Sequence, residues 1–348
     1  MSQIHISKNL SRVLILIVII LLCSLAFMWW QHLPITEDKL QMAMEEMPNI
    51  EIIDQPIKPI PLEIKLNPDK VALGNKLFEE TLLSDSHAMS CAICHNINKG
   101  GIDGGLVNSI GRNGLDLHIN TPTVFNSLFN FKQNWNGRFA SLEEQIEASI
   151  LNPKDMGEDW DNVVKKLQQV AEYVNKFNSI YENGITKDNI INAIATYERS
   201  LYTPNSRFDK YLRGDKTAIT KKEEQGYNIF KAYGCISCHQ GVNVGGNLFQ
   251  KFGVFGNYFA DRGKINNQDY GRFNITKNED DRYVFKVPSL RNITLTPPYF
   301  HDGSAPNLEA AIGIMAKYQL GREISSKNIK LIIEFLQTLT GEYAGKAL

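Results

Sequence analysis

Two pentapeptides carry most of the chemistry in this chain. Cys91-Ala92-Ile93-Cys94-His95 and Cys235-Ile236-Ser237-Cys238-His239 both read Cys-x-x-Cys-His, the pattern of covalent c-type haem attachment. The chemistry requires that spacing. Two thiols add to the two vinyl groups of one haem, and the adjacent His supplies an axial nitrogen on the same face. Two Cys-x-x-Cys pairs are also compatible with disulfides in an exported chain or with a four-cysteine zinc site, but a His directly after each pair selects haem. The expected cofactors are two covalently attached haem c groups, bound through Cys91, Cys94, Cys235 and Cys238, with His95 and His239 on iron.

The surrounding elements repeat. Leu77-Phe78 precedes the first pentapeptide and Ile229-Phe230 the second, while Gly100-Gly101 and Gly245-Gly246 follow the two histidines. A distant amphipathic helix then closes each half, Asn189 to Leu201 in one and Asn328 to Leu339 in the other, with apolar residues at three- and four-residue steps. Thr220 with Glu223 predicts a capping box at the start of the helix before the second pentapeptide. A helix leading into Cys-x-x-Cys-His and a terminal helix closing over the haem outline a cytochrome c domain. The fold class is therefore mainly α, with two tandem cytochrome c-like domains at 68–205 and 206–341 and a tail at 342–348.

Ahead of them, Val13 to Trp30 is an uncharged run of 18 residues, long enough for a transmembrane helix. Lys8 and Arg12 before it and Glu37 and Asp38 after it orient residues 1–12 to the cytoplasm and the body to the periplasm, anchored to the inner membrane. No small-x-small cleavage site follows, which favours an uncleaved anchor over a signal peptide; Cys23 reads as an apolar helix residue. Residues 31–67 form a Pro-rich linker, whose Met42, Met44 and Met47 read as an amphipathic contact. Lys+Arg 37 against Asp+Glu 38 leaves a net charge of -1 over 348 residues, so no basic field points to nucleic acid. A hydrophobic content of 43% with 22% charged residues fits a folded protein.

The sixth position on each iron separates a carrier from a catalyst, since two strong ligands leave no room for a small molecule. Met315, on a helix predicted from near Asn307, suits the second haem as axial ligand and makes it the site of electron entry.

From about Leu66 to Gly341 the chain resembles the bacterial di-haem cytochrome c peroxidases. The resemblance rests on Thr121-Pro122-Thr123-Val124-Phe125-Asn126, Trp135-Asn136-Gly137-Arg138, Thr203-Pro204-Asn205-Ser206-Arg207-Phe208-Asp209, Pro288-Ser289-Leu290-Arg291-Asn292 and Pro298-Tyr299-Phe300-His301-Asp302-Gly303. It implies reduction of hydrogen peroxide to water, with a low-potential peroxidatic haem at the first site and a high-potential transfer haem at the second. It also implies Met315 as axial ligand; the related enzymes that mature methylamine dehydrogenase carry Tyr there. By the same resemblance Trp135 is a stepping stone between haems, Gln145 a distal-pocket residue, and Asn120 with the carbonyls of Thr296 and Pro298 a calcium site. Relatives are often homodimers.

Three departures from the family follow. Arg112, in Ser109-Ile110-Gly111-Arg112, stands where many relatives place an axial His, and a guanidinium cannot ligate iron. It leaves the first iron open unless His118 substitutes, and would stabilise charge on a departing peroxide oxygen. Asp155 replaces the distal glutamate as proton carrier. Glu147-Ala148-Ser149-Ile150 replaces a Gly-Gly-Pro loop. The electron donor is a small cytochrome c, a copper protein or quinol. The rival reading is a membrane-tethered di-haem electron-transfer or haem-sensing protein without turnover; a protein-modifying oxidase is a third, disfavoured by Met315.

Overall fold

The computed structural model describes residues 55–348; the predicted anchor at Val13–Trp30 and the first part of the linker lie outside them. No helix among the described residues is long and apolar enough to cross a membrane. The described chain is mainly helical, with helices α1 (Pro68–Phe78), α2 (Cys91–Cys94), α3 (Leu142–Leu151), α4 (Trp160–Gln168), α5 (Ala171–Ile180), α6 (Lys187–Ser200), α7 (Arg207–Leu212), α8 (Lys221–Ala232), α9 (Tyr258–Arg262), α10 (Phe273–Thr276), α11 (Leu308–Ile314) and α12 (Ser326–Gln337). Its strands are short: β1 (Phe249–Lys251) pairs antiparallel with β2 (Val284–Lys286), and β3 (Glu342–Tyr343) with β4 (Lys346–Ala347).

Each half is built on one crossed helix pair. In the first, α1 starts on Asn67, whose side chain accepts from the Asp69 and Lys70 amides, with Pro68 at the first helical position. It crosses α6 at Gly74, where a Cβ would lie 2.0 Å from the Ala193 carbonyl oxygen. In the second, α8 starts in the predicted Thr220–Glu223 capping box and crosses α12 at Gly226, where a Cβ would lie 1.9 Å from the Leu331 carbonyl oxygen. Any side chain at either glycine would force the helices apart. Leu73, Leu77, Phe78, Ile190 and Ile194 fill the first core; Phe208, Tyr227, Phe230 and Phe335 fill the second as an aromatic cluster.

The repeat reaches into the connecting segments. Pro122, Asn126, Trp135, Gly137, Ser141 and Leu142 each have a counterpart 166 positions later, at Pro288, Asn292, His301, Gly303, Asn307 and Leu308. Local geometry repeats with them. Asn126 and Asn292 both take left-handed backbone ahead of a 3-10 turn, Gln133–Phe139 and Tyr299–Ala305 both form antiparallel bridges, and Ser141 and Asn307 both cap the next helix. Thr203 ties the two copies, taking hydrogen bonds on its hydroxyl from the Asn126 and Asn292 amides.

Two segments read as peripheral in the sequence belong to this body. The end of the Pro-rich linker is docked rather than free: Ile57 and Ile60 are fully buried, Ile57 bridges Gly241, and the Lys58 carbonyl accepts from Arg291. Arg291 and Asp209, from two of the peptides that carry the family resemblance, form a buried ion pair of 2.8 Å beneath it. The tail folds as the β3–β4 hairpin and sets Tyr343 edge-on against Phe125, 5.3 Å between ring centroids.

Candidate active site

A cavity of about 490 Å³ runs through this body, lined by both pentapeptides. Cys91, Cys94, Cys235 and Cys238 are all free thiols, as haem attachment requires. His95 and His239 are oriented alike: each Nδ1–H donates to a nearby carbonyl, Gly101 at 3.3 Å and Val244 at 3.4 Å. That fixes the tautomer and leaves Nε2 with a lone pair for iron. Burial lowers the pKa of both imidazoles, His239 to about 4, keeping them neutral as ligands must be.

The four thiols do not form one zinc cluster. Among the described residues the metal-ligating side chains that converge are Asp269, His301 and Asp302, and Arg262 already sits between the two carboxylates, bonded to both. The cavity wall also carries buried polar groups with no partner among the described residues. Ser127 Oγ is one. Glu198 and Lys286, 5% and 7% exposed, are others. Such groups are costly unless something pairs with them. A large, mostly apolar cavity with paired thiols, neutral imidazoles and waiting polar groups fits haem c at both sites.

At the first site α3 and the loop after it build part of the cavity wall. Gln145 and Ser149, one turn apart on α3, line the cavity with Ile146 and Ile150, and the Gln145 amide donates to the Ser149 hydroxyl at 3.4 Å. Asp155 lines it from the loop; burial raises its pKa, countered in part by the Asn152 amide, which donates to it at 2.8 Å. Leu117 and Ile119 complete an apolar rim.

Arg112 requires a correction. Its guanidinium does not line the cavity; it forms an ion pair with Asp85 and donates to the Pro153 carbonyl at 3.0 Å. Its own amide donates to the Lys154 carbonyl. The cation finds an anion and a carbonyl outside the apolar chamber, so it holds the Asp155 loop instead of meeting peroxide. His118 also stays outside, its side chain 65% exposed beside Asp116 at 3.2 Å.

At the second site Met315 lines the cavity at the start of a π-helical turn, Met315–Gln319, that continues α11; such turns often mark functional positions. Trp135 lines the same cavity, its indole N–H donating to the Asn120 carbonyl at 2.8 Å, 6.4 Å from the ring of its repeat counterpart His301. The Asn120 side-chain amide donates to the carbonyls of Pro298 and Phe300, at 2.7 and 3.0 Å, and the Thr296 hydroxyl to Ile293. Asn120 and Pro298 thus meet, bonded to each other.

Sequence reasoning missed Glu198, Lys286 and His301. His301 was visible as the 166-position counterpart of Trp135; Glu198 and Lys286 carry no local pattern that separates them from surface charges.

The family described as di-haem cytochrome c peroxidase matches residues 68–217. The chain is 44% identical to cytochrome c551 peroxidase of Nitrosomonas europaea over 290 residues, 83% of this chain and 85% of that protein. It is 42% identical to cytochrome c peroxidase of Escherichia coli over 291 residues, 83% of this chain but 62% of that longer protein. Among solved structures, a MauG-like protein associated with microbial copper homeostasis superposes with a TM-score of 0.70 at 26% identity, covering 85% of this chain and 96% of that one. With two haem-attachment sites facing one cavity and relatives of this likeness along most of its length, the chain belongs to the di-haem cytochrome c peroxidase family.

Proposed function

We infer that this chain is a di-haem c-type peroxidase, reducing hydrogen peroxide to water with electrons that an external donor delivers to the second haem and that pass to the first. The observation that carries this is an asymmetry in the repeat. Met315 on the second site's wall has Ser149 as its 166-position counterpart, so the first site has a short hydroxyl where the second has a thioether long enough to ligate. An open position beside Gln145 and Asp155 is a chamber for a small oxidant.

Haem c would supply the redox-active iron at both sites. The chain's part is to bind, orient and move protons. Gln145 offers an amide donor and a carbonyl acceptor to a peroxide seated opposite His95. Asp155, its pKa raised by burial, can hold a proton on a carboxyl oxygen and deliver it to the departing oxygen as water forms. The Asn152 amide fixes the direction of that carboxyl, and Leu117, Ile119, Ile146 and Ile150 keep bulk water out. Trp135, pinned through its indole N–H, occupies the cavity wall as an aromatic stepping stone.

The finer reading follows the sequence: a periplasmic body of two cytochrome c-like domains, tethered to the inner membrane through Val13–Trp30, with a small cytochrome c, a copper protein or quinol as donor, and a homodimer as assembly. A calcium ion at Asn120, Thr296 and Pro298 would require the Asn120 carboxamide to turn its oxygen inward; no step is assigned to it. Steady-state turnover of the haem-loaded protein with peroxide and a reduced small cytochrome tests the proposal. Asp155→Asn is expected to lower kcat by roughly a hundredfold or more while both haems stay attached. A wild-type protein inert to peroxide would favour the electron-transfer reading, and near-normal turnover in the variant would move proton delivery to another residue.

A further inference from the structure

Lys286 lies at the end of β2 with its side chain buried, on the wall of the haem cavity. Among the described residues its ammonium has neither a carboxylate nor a hydrogen-bond acceptor. A lone buried ammonium is costly, and folded proteins place one there when an anion completes the site. The β1–β2 ribbon locates that anion. Lys286 pairs with Phe249 across it, and two residues further along the chain comes Pro288, whose backbone carbonyl accepts from His239. The Lys286 amide donates to the Trp135 carbonyl at 2.8 Å. Lys286 is thus beside the second haem's attachment and on the side that faces Trp135. Once Cys235 and Cys238 have consumed the vinyl groups, the charged substituents of a haem c are its two propionate carboxylates.

We propose that Lys286 is the cationic partner of a propionate of the second haem, and that this fixed positive charge helps to keep that haem the more easily reduced of the two. The physics is Coulombic: a cation near the macrocycle disfavours the ferric state, which carries one more positive charge than the ferrous. The proposal rests on the di-haem reading, and it adds a role to a residue outside the attachment motifs.

The experiment uses the full-length, haem-loaded protein with Lys286→Met, Lys286→Gln and Lys286→Arg. Haem per chain is counted from the absorbance of the pyridine adduct, and the reduction equilibrium of each haem is measured against a redox dye at fixed pH. Both neutral variants should shift the second haem about tenfold or more toward ferric, leave the first within threefold, and be rescued to within threefold by Arg. Loss of the second haem from both neutral variants with its retention in the Arg variant would also support the assignment. Neutral variants that superimpose on wild type would overturn it. So would a shift confined to the first haem, or an Arg variant as displaced as the Met variant. Fewer than two haems in the wild-type protein would instead overturn the di-haem reading itself, a result that the variants cannot imitate.

Discussion

The two halves of this molecule share a scaffold and differ in what they place in the cavity. The shared parts are a glycine-crossed helix pair, a Pro-to-Asn segment, and a capped helix that lines the cavity in each half. The differences are few: Ser149 against Met315, and Trp135 against His301, at equivalent positions of the repeat. A buried carboxyl, Glu198, lines the cavity from the first half, and a buried amine, Lys286, from the second. Duplication fixes where a haem sits, and single substitutions on the duplicate decide whether it exchanges electrons or meets a substrate. An ammonium favours reduction of a neighbouring iron, whereas Glu198, its carboxyl raised to about 8 by burial, adds little charge near neutral pH.

The most direct way to break the comparison is to make the halves alike. Ser149→Met puts a thioether on the wall where the second site has one, and the first haem is expected to turn low-spin and six-coordinate, with peroxide turnover falling roughly a hundredfold or more. Unchanged spin state in the oxidised electronic and EPR spectra would show that α3 and α11 present these positions differently. Met315→His tests the other half: imidazole in place of thioether should lower the second haem's potential sharply, and an unchanged potential and spectrum would remove Met315 from the iron.

Glu198 sharpens the comparison through pH. Burial raises its carboxyl to about 8, with Arg199 lowering and Glu143 raising it by smaller amounts. A carboxyl raised above its unfolded value stabilises the fold fully below about 4.5, and that contribution is lost as pH climbs through about 8. The whole effect is on the order of 5 kcal/mol. Glu198→Gln should flatten the fall in stability between pH 5 and 8, read by urea denaturation at fixed haem content. Parallel pH profiles for variant and wild type would mean that the carboxyl is paired in the folded protein.

How much of this was legible in the sequence varied with the range of the interaction. Attachment motifs, the capping box at Thr220 and the helices closing each half are local patterns, readable because thiol spacing and helical period are fixed by covalent geometry. The placement of Gln145, Asp155, Trp135 and Met315 on one cavity came from the family resemblance, and the fold brings all four to it. What failed was direction. Arg112 is adjacent in sequence to the distal segment, yet its guanidinium turns to Asp85, 27 positions earlier, a partner that no local pattern announces. The end of the linker read as free because prolines exclude helix, but extended chain docks as well as it dangles, and Ile57 and Ile60 supply the apolar contacts.

The smallest effects concern the two residues that stand outside the chamber. Arg112 holds the Asp155 loop through the Pro153 carbonyl and Asp85, so Arg112→Gln should loosen that loop and cost about tenfold in kcat with KM for the electron donor unchanged. His118→Ala should change nothing. Its backbone amide bonds to Asp116 at 2.6 Å, its ring is solvated, and apolar Leu117 and Ile119 on either side face the cavity in its place. For His118 to reach iron, its segment would have to invert, exposing both apolar neighbours and breaking the bonds that Ser109 exchanges with Leu117 and Ile119. The oxidised protein should therefore show the same high-spin ferric signal, and the same reaction with peroxide without prior reduction, whether or not the imidazole is present. A resting first haem that is low-spin and becomes high-spin only in His118→Ala would mean that the segment does invert, and that the first half, too, is closed by a ligand until electrons arrive.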